Sequence, residues 1–147
     1  MSAESNAAEW AETISDYYAI SQFCDGTLEG CDLTVSAKRL MRELGFTGDN
    51  QSDVAESLRE HVQESPLSVL VRSGWCSPGE LGDPEEWEIL LSTGGPALRL
   101  VGDFNRCGEP CSCRLQHQDW GTLWTEHFGA DQDALCWFAG QFYFGEF

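Results

Sequence analysis

Three cysteines and a histidine lie close together in the segment RCGEPCSCRLQHQDW, at Cys107, Cys111, Cys113 and His117. Thiolates and imidazoles are common zinc ligands, and they also supply the nucleophile and the base of thiol enzymes. A zinc site, a thiol enzyme and a turn that only carries sulfur are therefore the alternatives for this segment.

Strand geometry argues against a single metal ion. The alternation in CSCRLQHQDW predicts a strand in which Cys111, Cys113, Leu115 and His117 all point the same way. At about 3.3 Å per residue, Cys111 and His117 would lie roughly 20 Å apart. Zinc ligands lie about 2.0–2.3 Å from the ion, so one ion cannot reach both residues. We predict no metal and no cofactor.

The three cysteines are instead interpreted as small apolar groups on a sheet face. Cys107, Cys111 and Cys113 remain the candidates for a metal if one binds. The sequence leaves open whether Cys107 and Cys111, across the Gly108-Glu109-Pro110 turn, share a disulfide or an ion.

No catalytic motif accompanies the cysteines. The chain has no Gly-x-Ser-x-Gly elbow, no phosphate-binding loop and no His-Glu-x-x-His motif. Nothing in the spacing links His117 or His127 to a thiolate, and no pair of carboxyl groups is singled out for acid–base work. We predict that the protein is not an enzyme and has no catalytic residue. The alternative is a Cys/His metal-binding protein or a thiol enzyme.

The elements that position these residues change from helical to extended along the chain. Apolar periodicity predicts helices at residues 7–23, 37–44 and 52–65, strands at 67–74, 86–93, 96–104 and 111–120, and a last helix at 131–144. In the third helix, Val54, Leu58 and Val62 recur every four positions on the predicted inner face. Ser36 and Asp131 are the expected N-caps of the second and last helices. Gly94 and Gly95 are expected to form a hairpin turn.

This order of elements predicts an α+β fold. N-terminal helices precede a four-stranded antiparallel sheet, and a C-terminal helix packs on the sheet. The length favours a single domain over residues 1–147, with a helical part at 1–65 and a part made of the sheet and the last helix at 66–147.

Charge dominates the composition: 25 acidic residues face 8 basic ones, for a formal net charge of −17. Such a surface repels nucleic acids and anionic membranes, whose phosphates are also negative. The predicted partner is therefore a basic protein, and no direct binding to nucleic acid or membrane is expected. With no signal-peptide pattern and no run of about 20 apolar residues, a cytoplasmic location with reduced thiols is expected.

Two predicted helices carry carboxylates on one face. Glu9, Glu12 and Asp16 are spaced i, i+3, i+7, and a second set has the spacing i, i+3, i+7, i+11: Asp53, Glu56, Glu60 and Glu64. Neighbours in such rows lie about 5–6 Å apart, close to the roughly 6–7 Å between phosphates along a DNA strand. The rows predict a DNA-like binding surface. An ordinary solvated helix face is the alternative.

Tryptophans around the predicted turns form a second set of candidate binding residues: Trp75, Trp120 and Trp124, with Phe128 nearby. Exposed tryptophan often marks a binding surface, although it more often closes the edge of a core. The oligomeric state stays open. A dimer through a sheet edge or through the terminal aromatic residues is one alternative.

The segments PLSVLVRSGW, EILLSTGGPALRLVG, LQHQDWGTLWTE and FYFGE resemble a group of small acidic proteins from phages, plasmids and integrated elements of bacteria. The resemblance covers about residues 66–146 and does not extend to the first 65. Positions corresponding to Cys107, Cys111 and Cys113 are not part of the group's pattern. By analogy with small acidic inhibitors of CRISPR and restriction systems, the resemblance implies a non-enzymatic inhibitor of a nucleic-acid-binding host defence protein.

Overall fold

The chain folds into a layer of helices and one antiparallel sheet. The structure is a computed structural model, and it describes residues 2–80, 82–93 and 96–145. In chain order the elements are α1 (Ala3–Cys24), a 3₁₀ turn (Gly30–Asp32), α2 (Val35–Glu43), α3 (Gln51–Glu64), β1 (Ser68–Ser73), β2 (Pro84–Ser92), β3 (Ala97–Phe104), β4 (Pro110–Gln118), β5 (Thr125–His127) and α4 (Gln132–Ala139). The strands are hydrogen-bonded in the order β1-β2-β3-β4-β5. Within the described residues, no helix combines the length and the hydropathy needed to cross a bilayer.

The predicted α+β class is confirmed, but the predicted number of strands is wrong. β5 is a fifth strand, formed where an irregular segment is expected, and it pairs antiparallel with β4. The last helix is shorter than predicted, because α4 ends at Ala139 and Gly140 is its C-cap. The predicted turn at Gly94 and Gly95 lies outside the described residues.

Side-chain caps set where the helices begin. Asp131 caps α4 as predicted, accepting a hydrogen bond from the Asp133 amide at 3.0 Å. The cap of α2 is Thr34 rather than Ser36, because Thr34 has the extended backbone of a cap residue and its Oγ1 accepts from the Ala37 amide at 3.0 Å.

One face of the sheet is buried beneath the helices. Its inward side chains alternate along the three central strands: Trp87, Ile89, Leu91, Leu98, Leu100, Cys113 and Leu115. They join one core with the buried stripes of α1 and α4 and with the predicted four-residue repeat of α3: Val54, Leu58 and Val62. In the described part of the chain no helix packs on the opposite face, which carries polar and charged side chains.

Gly102 makes room for the largest buried ring of the core. A Cβ atom at Gly102 would clash with the indole of Trp87 and would lie 2.6 Å from the carbonyl oxygen of Cys111. Trp87 is 2% exposed, and its Nε1–H donates to the carbonyl oxygen of Asp103 at 2.8 Å. The hydrogen bond to Asp103 therefore fixes the ring, and the missing side chain at Gly102 leaves the space that the ring occupies.

We expect Gly102→Ala to destabilise the fold by about 1–3 kcal/mol, because an added methyl group in a packed core forces the neighbouring ring or strand to move. The free energy of unfolding is measured by urea titration with tryptophan fluorescence. Gly140→Ala is the matched control, since a Cβ atom there would lie 3.4 Å from the carbonyl oxygens of Cys136 and Trp137 and the φ of Gly140 is −67°. Equal stability of the two variants would contradict this account.

Candidate protein interface

Four exposed carboxylates run along the outside of α3: Asp53, Glu56, Glu60 and Glu64, named here the α3 acidic row. The buried Val54, Leu58 and Val62 fix the orientation of the helix and so direct the row to solvent. Arg59 is the one base on α3, between Glu56 and Glu60 in sequence. Over residues 2–80, 82–93 and 96–145 the two ion pairs are Arg72–Glu86 and Arg99–Glu88, so no described base forms an ion pair with the row.

The helix dipole does not explain the position of the whole row. Asp53 lies in the first turn of α3, where a carboxylate stabilises the helix. Glu64 is the last residue of α3, where the same dipole disfavours a negative charge. Like charges at i, i+4 oppose helix formation as well. The row is therefore a concentrated negative surface that local helix stability does not require.

The predicted row on α1 is not a single exposed surface. Glu9 and Glu12 are exposed, but Asp16 is half-buried and accepts hydrogen bonds from Thr34 Oγ1 at 2.8 Å and Ser36 Oγ at 2.5 Å. These bonds place the carboxylate at the N-terminus of α2, where the helix dipole favours it. Asp16 thus connects α1 to α2, and only Glu9 and Glu12 remain available to a partner.

Basic residues are concentrated on α2. Lys38, Arg39 and Arg42 are three of the four bases in residues 1–65, and all three are exposed. Because α2 and α3 each pack against α1, the helical layer presents a basic helix and an acidic row on separate elements. Three of the four bases in the helical part are thus on α2, away in sequence from the α3 acidic row.

The three candidate tryptophans lie in different environments. Trp75 and Trp120 are exposed, and Leu123 and Phe128 near β5 are 87% and 85% exposed. Trp124 is half-buried instead, and the centroid of its ring lies 4.1 Å from Cζ of Arg99. Trp120 and Trp75 are thus free to contact a partner, whereas Trp124 is already engaged.

Arg99 is fixed on the uncovered sheet face by three neighbours. Its Nε donates to Gln116 Oε1 and its Nη1 to Glu88 Oε2, each at 2.8 Å, and the Trp124 ring covers the guanidinium. A shallow groove of about 390 Å³ borders this cluster, with Arg114 on its lining. These three contacts hold the Arg99 guanidinium in one orientation. The uncovered sheet face can therefore offer hydrogen-bond donors in a fixed position.

The Arg99 cluster is absent from the sequence-based prediction. Alternation along PALRLVG places Arg99 on one face of its strand, but the neighbours come from β2, β4 and the connection after β4. Only the pairing register brings them together, and a single sequence does not give that register.

The cysteine segment does not converge on one site. Cys107 is exposed in the turn after β3, whereas Cys113 is buried. A register shift between β3 and β4, with a φ of 52° at Ser112, breaks the strict alternation predicted from Cys111 to Cys113. The positions of Cys111 and Cys113 are therefore set by the bulge as well as by the alternation of side chains along the strand.

The sulfur of Cys113 lies 3.1 Å from the sulfur of Cys136 in α4. Burial, and then the hydrogen bond to Cys136, raise the pKa of the Cys113 thiol. A thiol held in its protonated form is a poor nucleophile and a poor metal ligand. The close sulfur pair therefore joins α4 to β4, and it involves neither Cys107 nor His117.

Ligand atoms of possible metal-binding residues converge at one place in the described chain, the exposed Glu29, Cys31 and Asp32. This group contains none of the cysteines from the segment 107–113. Among the described histidines, none is hydrogen-bonded to a thiol. His61 Nε2 is instead 3.2 Å from the hydroxyl of Tyr17.

We expect mild oxidation with hydrogen peroxide to join Cys113 and Cys136, because their sulfur atoms lie 3.1 Å apart. Cys136, the less buried of the two, reacts first to give a sulfenic acid and one water, and the Cys113 thiol then displaces a second water to form the disulfide. Peptide mapping by mass spectrometry identifies the bond, which should raise the free energy of unfolding by about 2–4 kcal/mol. Cys136→Ser is the control, and a disulfide between Cys107 and Cys111 as the main product would contradict the expectation.

No protein-family model, no curated protein and no solved structure matches this chain.

Proposed function

We propose that the protein is a non-enzymatic acidic binding protein that occupies the nucleic-acid groove of a basic protein by imitating DNA. The observation that carries this proposal is the α3 acidic row, which is exposed along one helix and has no ion pair with a described base. Charges about 5–6 Å apart along a helix offer such a groove a spacing close to that of phosphates.

The partner we propose is a bacterial defence protein of the CRISPR or restriction type. This choice follows the resemblance of residues 66–146 to small acidic proteins of mobile elements, and the chain would then act as an anti-CRISPR or anti-restriction inhibitor. A net charge of −17 would steer it toward a positively charged groove and would make the association fast and strongly dependent on salt.

The basic helix α2 gives the complex a preferred orientation. Lys38, Arg39 and Arg42 would be repelled by a cationic groove, whereas the α3 acidic row would be attracted to it. We propose that α3 faces the partner and that α2 faces away. Glu9 and Glu12 are the two acids of the predicted α1 row that remain available to a partner.

We expect the triple variant Glu56→Lys, Glu60→Lys and Glu64→Lys to lose binding, because it replaces attraction by repulsion at the centre of the proposed contact. The matched control reverses three exposed acids near the start of β2: Glu80, Asp83 and Glu85. Each triple variant adds two charge units at three positions, which moves the net charge from −17 to −11. The control therefore has the same total charge and an intact α3 acidic row.

The measurement is capture of a prey protein from a bacterial lysate at about 50 mM and about 500 mM salt, where screening lengths differ several-fold. The purified prey is then titrated with wild type and both variants in the presence of duplex DNA. Competition by DNA, weakening with salt and loss in the α3 variant alone support the proposal. A folded α3 variant that binds as tightly as its control contradicts it.

Exposed aromatic side chains favour a second candidate function. In this alternative the protein recognises its partner through the loops that carry Trp75 and Trp120, and the acidic surface serves only solubility. The near-complete exposure of Trp120, 87%, and of the neighbouring Leu123, also 87%, is the observation that supports it. Trp124 is a poorer probe, because its removal would also release Arg99.

Trp120→Ala separates the two candidates. If the α3 acidic row carries recognition, the affinity for the same prey stays within about threefold, since the substitution removes no charge. If the loop is a hot spot of the interface, affinity falls by about thirtyfold or more. Isothermal titration of the purified prey gives the answer, and a large loss would contradict the acidic-row proposal.

A further inference from the structure

β1 is an edge strand that carries exposed apolar side chains. It pairs with β2 on one side, and no described element pairs with its other side. Four of the nine large exposed hydrophobic side chains in the described chain lie on it or beside it: Leu67, Leu70, Val71 and Trp75, at 60%, 56%, 43% and 105% exposure. An edge strand presents unpaired N–H and C=O groups that can template a further strand.

The charge on this edge differs from that on the rest of the chain. Residues 66–79 contain no Asp or Glu and a single base, Arg72, although the whole chain carries −17. Arg72 is itself paired with Glu86 of β2. Natural proteins commonly protect an edge strand with charged side chains, and β1 has little of this protection. Two acidic copies can approach most closely where their own charge is lowest.

We propose that β1 pairs antiparallel with β1 of a second copy of this chain and joins two five-stranded sheets into one of ten strands. The sequence around Leu70 is nearly symmetric, SVLVR. Pairing about this residue sets Leu70 opposite its counterpart and Val69 opposite the second copy's Val71. Val69 and Val71 are in register with Ile89 and Trp87, so the second pair extends the buried side of the sheet.

Pairing of β1 with β1 of a second copy fits this edge better than pairing of β1 with β5 of a second copy. β5, the opposite edge, has only three residues and includes Glu126. Pairing of β1 with β5 would be short and would continue into open filaments, whereas pairing of β1 with β1 closes on a two-fold axis. The register shift between Arg72 and Ser73 ends the regular part of β1, which limits the contact to Ser68–Arg72.

The oligomeric state in solution tests the proposal. Light scattering after gel filtration, with sedimentation to obtain the dimer affinity, should show twice the monomer mass. The dimer should tighten as salt rises, because salt screens the repulsion between two chains of −17 over about 8 Å at physiological ionic strength. A wild-type protein that is monomeric at all concentrations, or that forms open-ended aggregates, overturns the proposal.

Leu70→Lys should weaken the dimer by about tenfold or more, because two lysines would then lie directly opposite each other at the centre of the pairing. Leu123→Lys is the matched control: it makes the same change at another exposed leucine and should leave the dimer intact. Circular dichroism checks that both variants fold. Equal dimer affinity of the two variants contradicts pairing through β1.

Cross-linking gives an independent test that does not require a charged variant. In a background where the exposed Cys31, Cys76 and Cys107 are serine, Leu70→Cys should form a disulfide-linked dimer on oxidation. Leu123→Cys in the same background should not. Hydrogen exchange of the amides of 68–72 should also slow as the protein concentration rises. Failure of Leu70→Cys to cross-link above the Leu123→Cys level overturns the proposed register.

Discussion

Burial of a single sheet face beneath the helices is the constraint on which the rest of the structure depends. The buried small residues Ala7 and Ala11 are part of the core that α1 forms with the sheet, and the absence of a side chain at Gly102 leaves room for the Trp87 ring. Once all the helices lie on this side, the other face and the β1 edge receive no helical cover. The Arg99 cluster orders part of that face, whereas the β1 edge stays apolar and open.

The same constraint determines where the charge can go. No charged or polar side chain is buried in the described part of the chain, so the carboxylates must lie on the outside of the elements. The two described ion pairs both lie on the uncovered sheet face, so no described acid of the helical layer forms an ion pair. The fold thereby converts a composition of 25 acids and 8 bases into a directed negative surface on α3.

Local periodicity explains which parts of the fold could be predicted. The four-residue repeat of Val54, Leu58 and Val62 depends on helix geometry alone, and it predicted both the position of α3 and its exposed row. β5 could not be found in this way, because three residues contain no recognisable period and the strand exists only through its pairing with β4. The bulge at Ser112 likewise depends on the pairing of β4 with β3.

The candidate site also combines features that local sequence predicts with features that only the fold determines. A row of like residues on one helix is readable from spacing, but the role of each member depends on what the fold brings to it. Asp16 has the spacing of a surface acid, yet Thr34 and Ser36 make it a structural link between α1 and α2. Arg99 would be counted among scattered bases, yet Glu88, Gln116 and Trp124 immobilise it. The two proposed contact surfaces consequently differ in charge: α3 has a high density of negative charge, whereas β1 has almost none. Salt should therefore weaken the contact through α3 and strengthen the contact through β1.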